Sequence, residues 1–186
     1  MARRLSKNDA SADSGPGLVE VFTGDGKGKT TAALGTVMRA LGQGKRVYIV
    51  FFMKGEYPYG ERRILAGLPG VVTESFGSLD FVDPASIRPE DREQAEMALS
   101  AARKAVFSGQ YDIVVLDEIN VAVAFGLIPR DEVIGLIRDK PSRTELILTG
   151  RKADPEIIKL ADLVTECLKI KHPYDRGVRS RRGIEY

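Results

Sequence analysis

Leu18-Val19-Glu20-Val21-Phe22 is followed by Thr23-Gly24-Asp25-Gly26-Lys27-Gly28-Lys29-Thr30-Thr31, and then by a segment that places Ala33, Leu34, Val37, Met38 and Leu41 on one helical face. A β-branched strand, a glycine-rich turn and an amphipathic helix in that order form a loop that cradles phosphate. The glycines let backbone N–H groups turn inward around phosphate oxygens, and the start of the helix adds its positive dipole end. Lys29 reaches the terminal phosphates, and the hydroxyl of Thr30 suits Mg²⁺. One position departs from the usual spacing. Where a glycine normally stands five residues before the Gly of Gly-Lys-Thr, this chain has Thr23, so the loop is one residue short and its nucleotide need not run through it in the usual direction.

Further along the chain, short apolar runs alternate with helical segments. Arg46 to Phe52, Val71 to Phe76, Ile113 to Leu116, Glu145 to Thr149 and Leu163 to Lys169 read as further strands. Pro89 to Phe107 carries a second apolar stripe, while Pro129 before Asp131 and Glu132, and Asp154-Pro155, signal two shorter helices. Strands joined by helices predict an α/β fold, a doubly wound and mainly parallel sheet of about six strands, with ligands beyond the carboxyl ends of the strands. Residues 1–17 read as a mobile arm and residues 18–186 as a single domain.

At one such end, Ile113 to Leu116 runs into Asp117-Glu118, and one of these carboxylates should approach the Mg²⁺ held by Thr30. If the strand continued, the two would point to opposite faces, so only one would be a direct ligand unless the chain turns there. Asn120 follows as a candidate for positioning either ligand. No Asn-Lys-x-Asp element selects guanine, and no evident base orients a nucleophile.

Composition narrows the class. The chain has 186 residues, 43% of them hydrophobic, with 28 Lys and Arg against 26 Asp and Glu. A formal charge of +2 gives no reason to expect a polyanion binder. The charge is unevenly spread, however, because residues 169–186 carry six basic side chains against two acidic ones. The lone Cys167, set in the apolar run Leu163 to Leu168, reads as a small core residue in a reducing compartment. No apolar run approaches the roughly 20 residues that span a bilayer, so a soluble, cytoplasmic protein is expected.

Val21 to Thr31, Val115-Leu116-Asp117-Glu118-Ile119-Asn120, Leu148-Thr149-Gly150-Arg151 and the ending Lys171-His172-Pro173-Tyr174-Asp175-Arg176-Gly177-Val178 to Arg182-Gly183-Ile184-Glu185-Tyr186 together resemble the phosphate-loop type of ATP:cob(I)alamin adenosyltransferase. The likeness runs in the same order from about residue 18 to the end. It implies a RecA-like homodimer that transfers the 5′-deoxyadenosyl group of ATP to Co(I) of a reduced corrinoid, forming adenosylcobalamin and releasing triphosphate. In that family ATP binds reversed and Co(I) is itself the nucleophile, so no protein base is needed.

Carried over by position, the resemblance implies that Gly24, Asp25, Gly26, Lys27, Gly28, Lys29, Thr30 and Thr31 bind triphosphate and that Arg151 touches ribose or phosphate. Thr30 and Glu118 would hold Mg²⁺, or Mn²⁺ in its place, with Asp117 in support. Lys29 and Glu118 would be the catalytic pair, and Lys54 would match a family Lys-Gly at the same sheet edge. A Phe-x-Trp element of some members has no Trp here, which leaves Phe76 and Phe81 for the corrinoid face, with a core place at least as open to Phe76. His172, the one histidine, is expected to hydrogen-bond with Asp175 rather than ligate cobalt, since a lower axial ligand opposes reduction to Co(I). A flavoprotein reductase is the implied electron donor. The rival readings are a RecA-like ATPase or a nucleic-acid-binding regulatory module using the basic tail, and a small-molecule kinase.

Overall fold

The computed structural model describes residues 15–78 and 80–186. It contains a six-stranded, wholly parallel sheet in the order β3-β2-β4-β5-β1-β6. The strands are β1 (Val19–Thr23), β2 (Val47–Phe51), β3 (Val71–Ser75), β4 (Ile113–Asp117), β5 (Glu145–Thr149) and β6 (Leu163–Glu166). Every residue of β2 and β4 is buried, as expected for central strands covered on both faces.

Two helical layers provide that cover. On one face, α1 (Lys29–Leu41) contributes Ala33 and Val37, and α2 (Gly60–Leu65) contributes Leu65, packed against Phe22, Ile49, Phe51 and Val115. On the other face lie α3 (Pro89–Phe107), α4 (Ile119–Ala124), α5 (Arg130–Asp139) and α6 (Pro155–Leu160), packed on Val21, Val50, Leu116 and Leu148. Because all strands run in parallel, their carboxyl ends share one edge. In register, Phe51 pairs with Asp117 and Phe22 with Thr149, so the chain beyond β1, β2, β4 and β5 converges there.

α1 and α3 fall where their apolar stripes predict. The helices α2 and α4 were not expected, since six residues are too few to display a helical period. The run Leu163 to Lys169 is a strand only to Glu166, and all four residues of β6 are exposed. Cys167 is accordingly only partly buried, which corrects its expected place in the core: an apolar run forms core only when layers cover it, and β6 is an edge strand. The proposed arm falls outside the described residues over positions 1–14. Gly17 is tied into the domain, with its N–H donating to Ser142 O (2.7 Å) and its carbonyl accepting from Lys140 Nζ (2.6 Å).

Glu20 on β1 and Glu145 on β5 make a carboxyl pair. Burial, then the hydrogen bond and charge of Glu145, push the Glu20 carboxyl up to about 7. The folded state therefore holds a proton that the unfolded chain releases near 4.5, and stability falls as pH rises through the window from 4.5 to about 7. Glu20→Gln should remove this component. Urea unfolding at about pH 5 and about pH 8 should show a smaller loss of stability for the variant than for the parent.

Candidate active site

The loop between β1 and α1 is laced to the chain that follows β6. Gly26 donates its N–H to Cys167 O (2.7 Å), and Cys167 donates its own to Thr23 O (2.8 Å). A Cβ on Gly26 would lie 2.5 Å from Leu168 O, so this glycine is required by close backbone approach. Its amide is therefore occupied within the protein, whereas the sequence suggested that it would turn toward phosphate. Gly28, at φ 121°, takes a conformation that side chains resist and opens directly into the first turn of α1. Thr23, the position that departs from the usual spacing, is buried, and its Oγ1 accepts from Ala153 N at 3.2 Å. A glycine there would lose that tie.

At the end of β4, Asp117 is 1% exposed and both its oxygens are engaged. Lys54 Nζ donates to Oδ2 at 2.5 Å, and Thr149 Oγ1 donates to Oδ1 at 2.7 Å. The same Thr149 oxygen accepts from the Glu118 N–H at 2.9 Å. Glu118 itself is left-handed, at φ 67°. For a residue other than glycine this conformation costs about 1–3 kcal/mol and persists only where surrounding bonds enforce it. The turn resolves what the sequence left open. Glu118 lines the cavity, while Asp117 lies behind it and does not. Asp117 thus stands behind Glu118, with Lys54 on one oxygen and Thr149 on the other.

Burial, then the charge of Asp117, raises the Glu118 carboxyl above its ordinary range, while Lys54, Lys29 and Arg151 pull it back. Burial lowers Lys29, with Glu118 opposing, and the Lys29 ammonium folds back to donate to Gly26 O at 2.7 Å. For Lys54, burial works against the charge, but Asp117 and Glu118 outweigh it and hold its pKa above the usual lysine value.

These groups line a cavity of about 550 Å³. Gly26 to Thr31, Lys54, Glu118, Arg151 and His172 all reach it; Gly24 and Asp25 do not. The C-terminal tail closes one side, where Lys27 Nζ donates to Ile184 O (2.8 Å) and Glu185 Oε1 (3.0 Å). Hydrogen bonds from Arg181, then from Lys27, hold the Glu185 carboxyl down to about 2. Tyr186 packs edge-on against Tyr57 at 5.3 Å, and Tyr57 in turn lies 4.9 Å from Tyr59 and 6.1 Å from Phe81. Sequence reasoning missed this aromatic rim. Its signals were Tyr57 and Tyr59 just past Lys54-Gly55, and the terminal Tyr186.

Asn120 and the His172–Asp175 pair are placed differently from expectation, and Phe76 and Phe81 are set apart from one another. Phe76 packs against the core and borders a separate groove beside α3, whereas Phe81 is 79% exposed in a recess with Lys54, Tyr57 and Tyr59. Asn120 is wholly buried, donating to Gly150 O at 3.4 Å away from the cavity, and its Oδ1 has no partner. His172 Nδ1 accepts from Tyr174 N (3.2 Å) and Asp175 pairs with Lys169 (2.9 Å), so the expected side-chain bond between His172 and Asp175 is not formed. Their link is through the backbone, with Asp175 N donating to His172 O.

Among the described residues no group of three or more His, Cys, Asp or Glu side chains could cage a metal. Mg²⁺ needs no such cage, since it keeps waters and takes one or two protein oxygens beside phosphate. Thr30 and Glu118, lining the same cavity, fit that demand. Lys54→Met would strand Asp117 as an uncompensated buried charge. Urea denaturation should show a loss of about 3–5 kcal/mol, far more than an exposed pair such as Arg103–Glu132 would give.

Residues 16–186 match the family model described as ATP:corrinoid adenosyltransferase BtuR/CobO/CobP. The chain is 38% identical over 177 residues to the corrinoid adenosyltransferase of Escherichia coli strain K12, covering 95% of this chain and 89% of that protein. It is 38% identical over 183 residues to the corrinoid adenosyltransferase CobA of Salmonella typhimurium strain LT2, covering 98% and 92%. The corrinoid adenosyltransferase of Pseudomonas aeruginosa is 34% identical over 95% of this chain and 87% of its own length. With a match that takes in the phosphate loop, the turn at Glu118 and the closing tail, the chain belongs to the ATP:corrinoid adenosyltransferase BtuR/CobO/CobP family.

Proposed function

We propose that the protein transfers the 5′-deoxyadenosyl group of ATP to the Co(I) centre of a reduced corrinoid, with triphosphate as the leaving group. The observation that carries this reading is the gathering of Lys29, Thr30, Glu118 and Arg151 around one cavity that Tyr59 and Tyr186 also line. In the reaction, the Co(I) electron pair forms a bond to C5′, the C5′–O bond breaks, and its electrons leave on the triphosphate. Cobalt is the nucleophile, so a protein base has no task.

What this chain contributes is charge and position. Lys29 leaves its bond to Gly26 O for the triphosphate, and the amides opening α1 add to it. Arg151 neutralises charge from the β5 side. Thr30 and Glu118 would hold Mg²⁺, or Mn²⁺ in its place, which supplies neutralisation of the phosphate oxygens. Phe81, exposed beside Tyr57 and Tyr59, is the aromatic toward the corrinoid, while Phe76 packs against the core. His172 shapes the cavity wall through its bond to Tyr174 N.

We further propose a single domain over residues 18–186, acting as a cytoplasmic homodimer supplied with electrons by a flavoprotein reductase and binding neither nucleic acid nor membrane. No helix among the described residues is long and apolar enough to cross a membrane. The ATPase reading is less well supported, since the chain matches the corrinoid adenosyltransferase family over residues 16–186.

Incubation with ATP, Mg²⁺ and chemically reduced cobalamin should yield adenosylcobalamin and intact triphosphate in equal amounts. ADP and phosphate without a cobalt–carbon absorption spectrum would overturn the reading. Lys29→Ala should lower turnover by at least about 100-fold with the fold intact by circular dichroism.

A further inference from the structure

Glu118 is held left-handed, and the bond that enforces this comes from a residue with no assigned role. We propose that Thr149 is the positioning residue for Glu118: its hydroxyl joins the Asp117 carboxylate to the Glu118 N–H and so fixes the turn that presents the Glu118 carboxylate to the metal–nucleotide complex. This rests on the reading of Glu118 as a metal-facing group.

A hydroxyl has one proton to give and lone pairs to receive. At Thr149 the proton goes to Asp117 Oδ1 (2.7 Å), and a lone pair takes the Glu118 N–H (2.9 Å). The side chain is 0% exposed, so water cannot substitute for either partner. Its backbone is anchored on both sides, because β5 pairs with β4 through Leu148–Leu116 and with β1 through Thr149–Phe22. The hydroxyl is thus referenced to the same strand that delivers the phosphate loop. Lys54 fixes the other Asp117 oxygen, so Asp117 cannot swing away to release the turn. Serine can make both bonds. Valine keeps the shape and makes neither; alanine makes neither and adds no bulk.

The test is Mn²⁺ binding in the presence of saturating ATP, read by electron paramagnetic resonance, with melting curves of the nucleotide-free proteins alongside. Thr149→Val and Thr149→Ala should weaken Mn²⁺ binding about tenfold to a hundredfold, the range for lost outer-shell partners, and Thr149→Ser should stay within about twofold. In a Glu118→Gln background the hydroxyl should have nothing left to position, and its removal should cause no further weakening. If Thr149→Val does not fold, Thr149→Ala carries the comparison. Wild-type Mn²⁺ affinity in either folded hydroxyl-free variant overturns the proposal, as does a serine variant as weak as alanine. Equal weakening with and without the Glu118 carboxylate overturns it too while leaving Glu118 as a metal-facing group. Unchanged affinity in Glu118→Gln alone removes the metal-facing reading itself, and this proposal with it.

Discussion

The buried carboxylate of Asp117 is the constraint on which the site depends. A carboxylate at 1% exposure needs charged or hydrogen-bonding partners on its oxygens, and the neighbouring strand ends supply them. Lys54 arrives from beyond β2 and Thr149 from β5, the two strands that flank β4. Satisfying one carboxylate therefore pins three strand ends together, and the Thr149 oxygen captures the next N–H in the chain. The β4 ladder stops there, the backbone turns left-handed, and Glu118 faces the cavity. The sheet's parallel order had already placed the β1 loop on that edge, so loop lysine, threonine and carboxylate meet without any further device.

How far this was legible depends on the range of the signal. The loop and α1 were readable because glycine spacing and a 3.6-residue stripe are local, and α1 begins and ends where they predict. Asp117-Glu118 was visible as a pair, but their division of labour was not, since it turns on Lys54 and Thr149, 63 and 32 residues away from Asp117. Thr149 was in plain view within Leu148-Thr149-Gly150-Arg151 and carried no local mark of its role. The run around Cys167 misled for a related reason: apolar residues at a sheet edge and in a centre look alike until the strand order is known. The sequence left Phe76 open to a core or a corrinoid place, and its packing against the core beside an exposed Phe81 separates the two.

The basic tail takes on a definite meaning. Arg181 and Lys27 share Glu185, which ties the tail to the phosphate loop, while Lys169 pairs with Asp175 within the tail. Exposed pairs of this kind are individually weak. Together with Tyr186 against Tyr57, the tie to Lys27 gives the cavity one of its walls.

Under the proposed reaction the bond broken is C5′–O, with the triphosphate held as leaving group by the β1 loop. ATP carrying ¹⁸O at the 5′ bridging position tests it in a single turnover with reduced cobalamin. The prediction is that the heavy oxygen appears wholly in the released triphosphate, seen by mass and by ³¹P resonance shift, while the adenosyl group on cobalt carries none. Heavy oxygen retained on the nucleoside, or a labelled ADP in place of triphosphate, would contradict it.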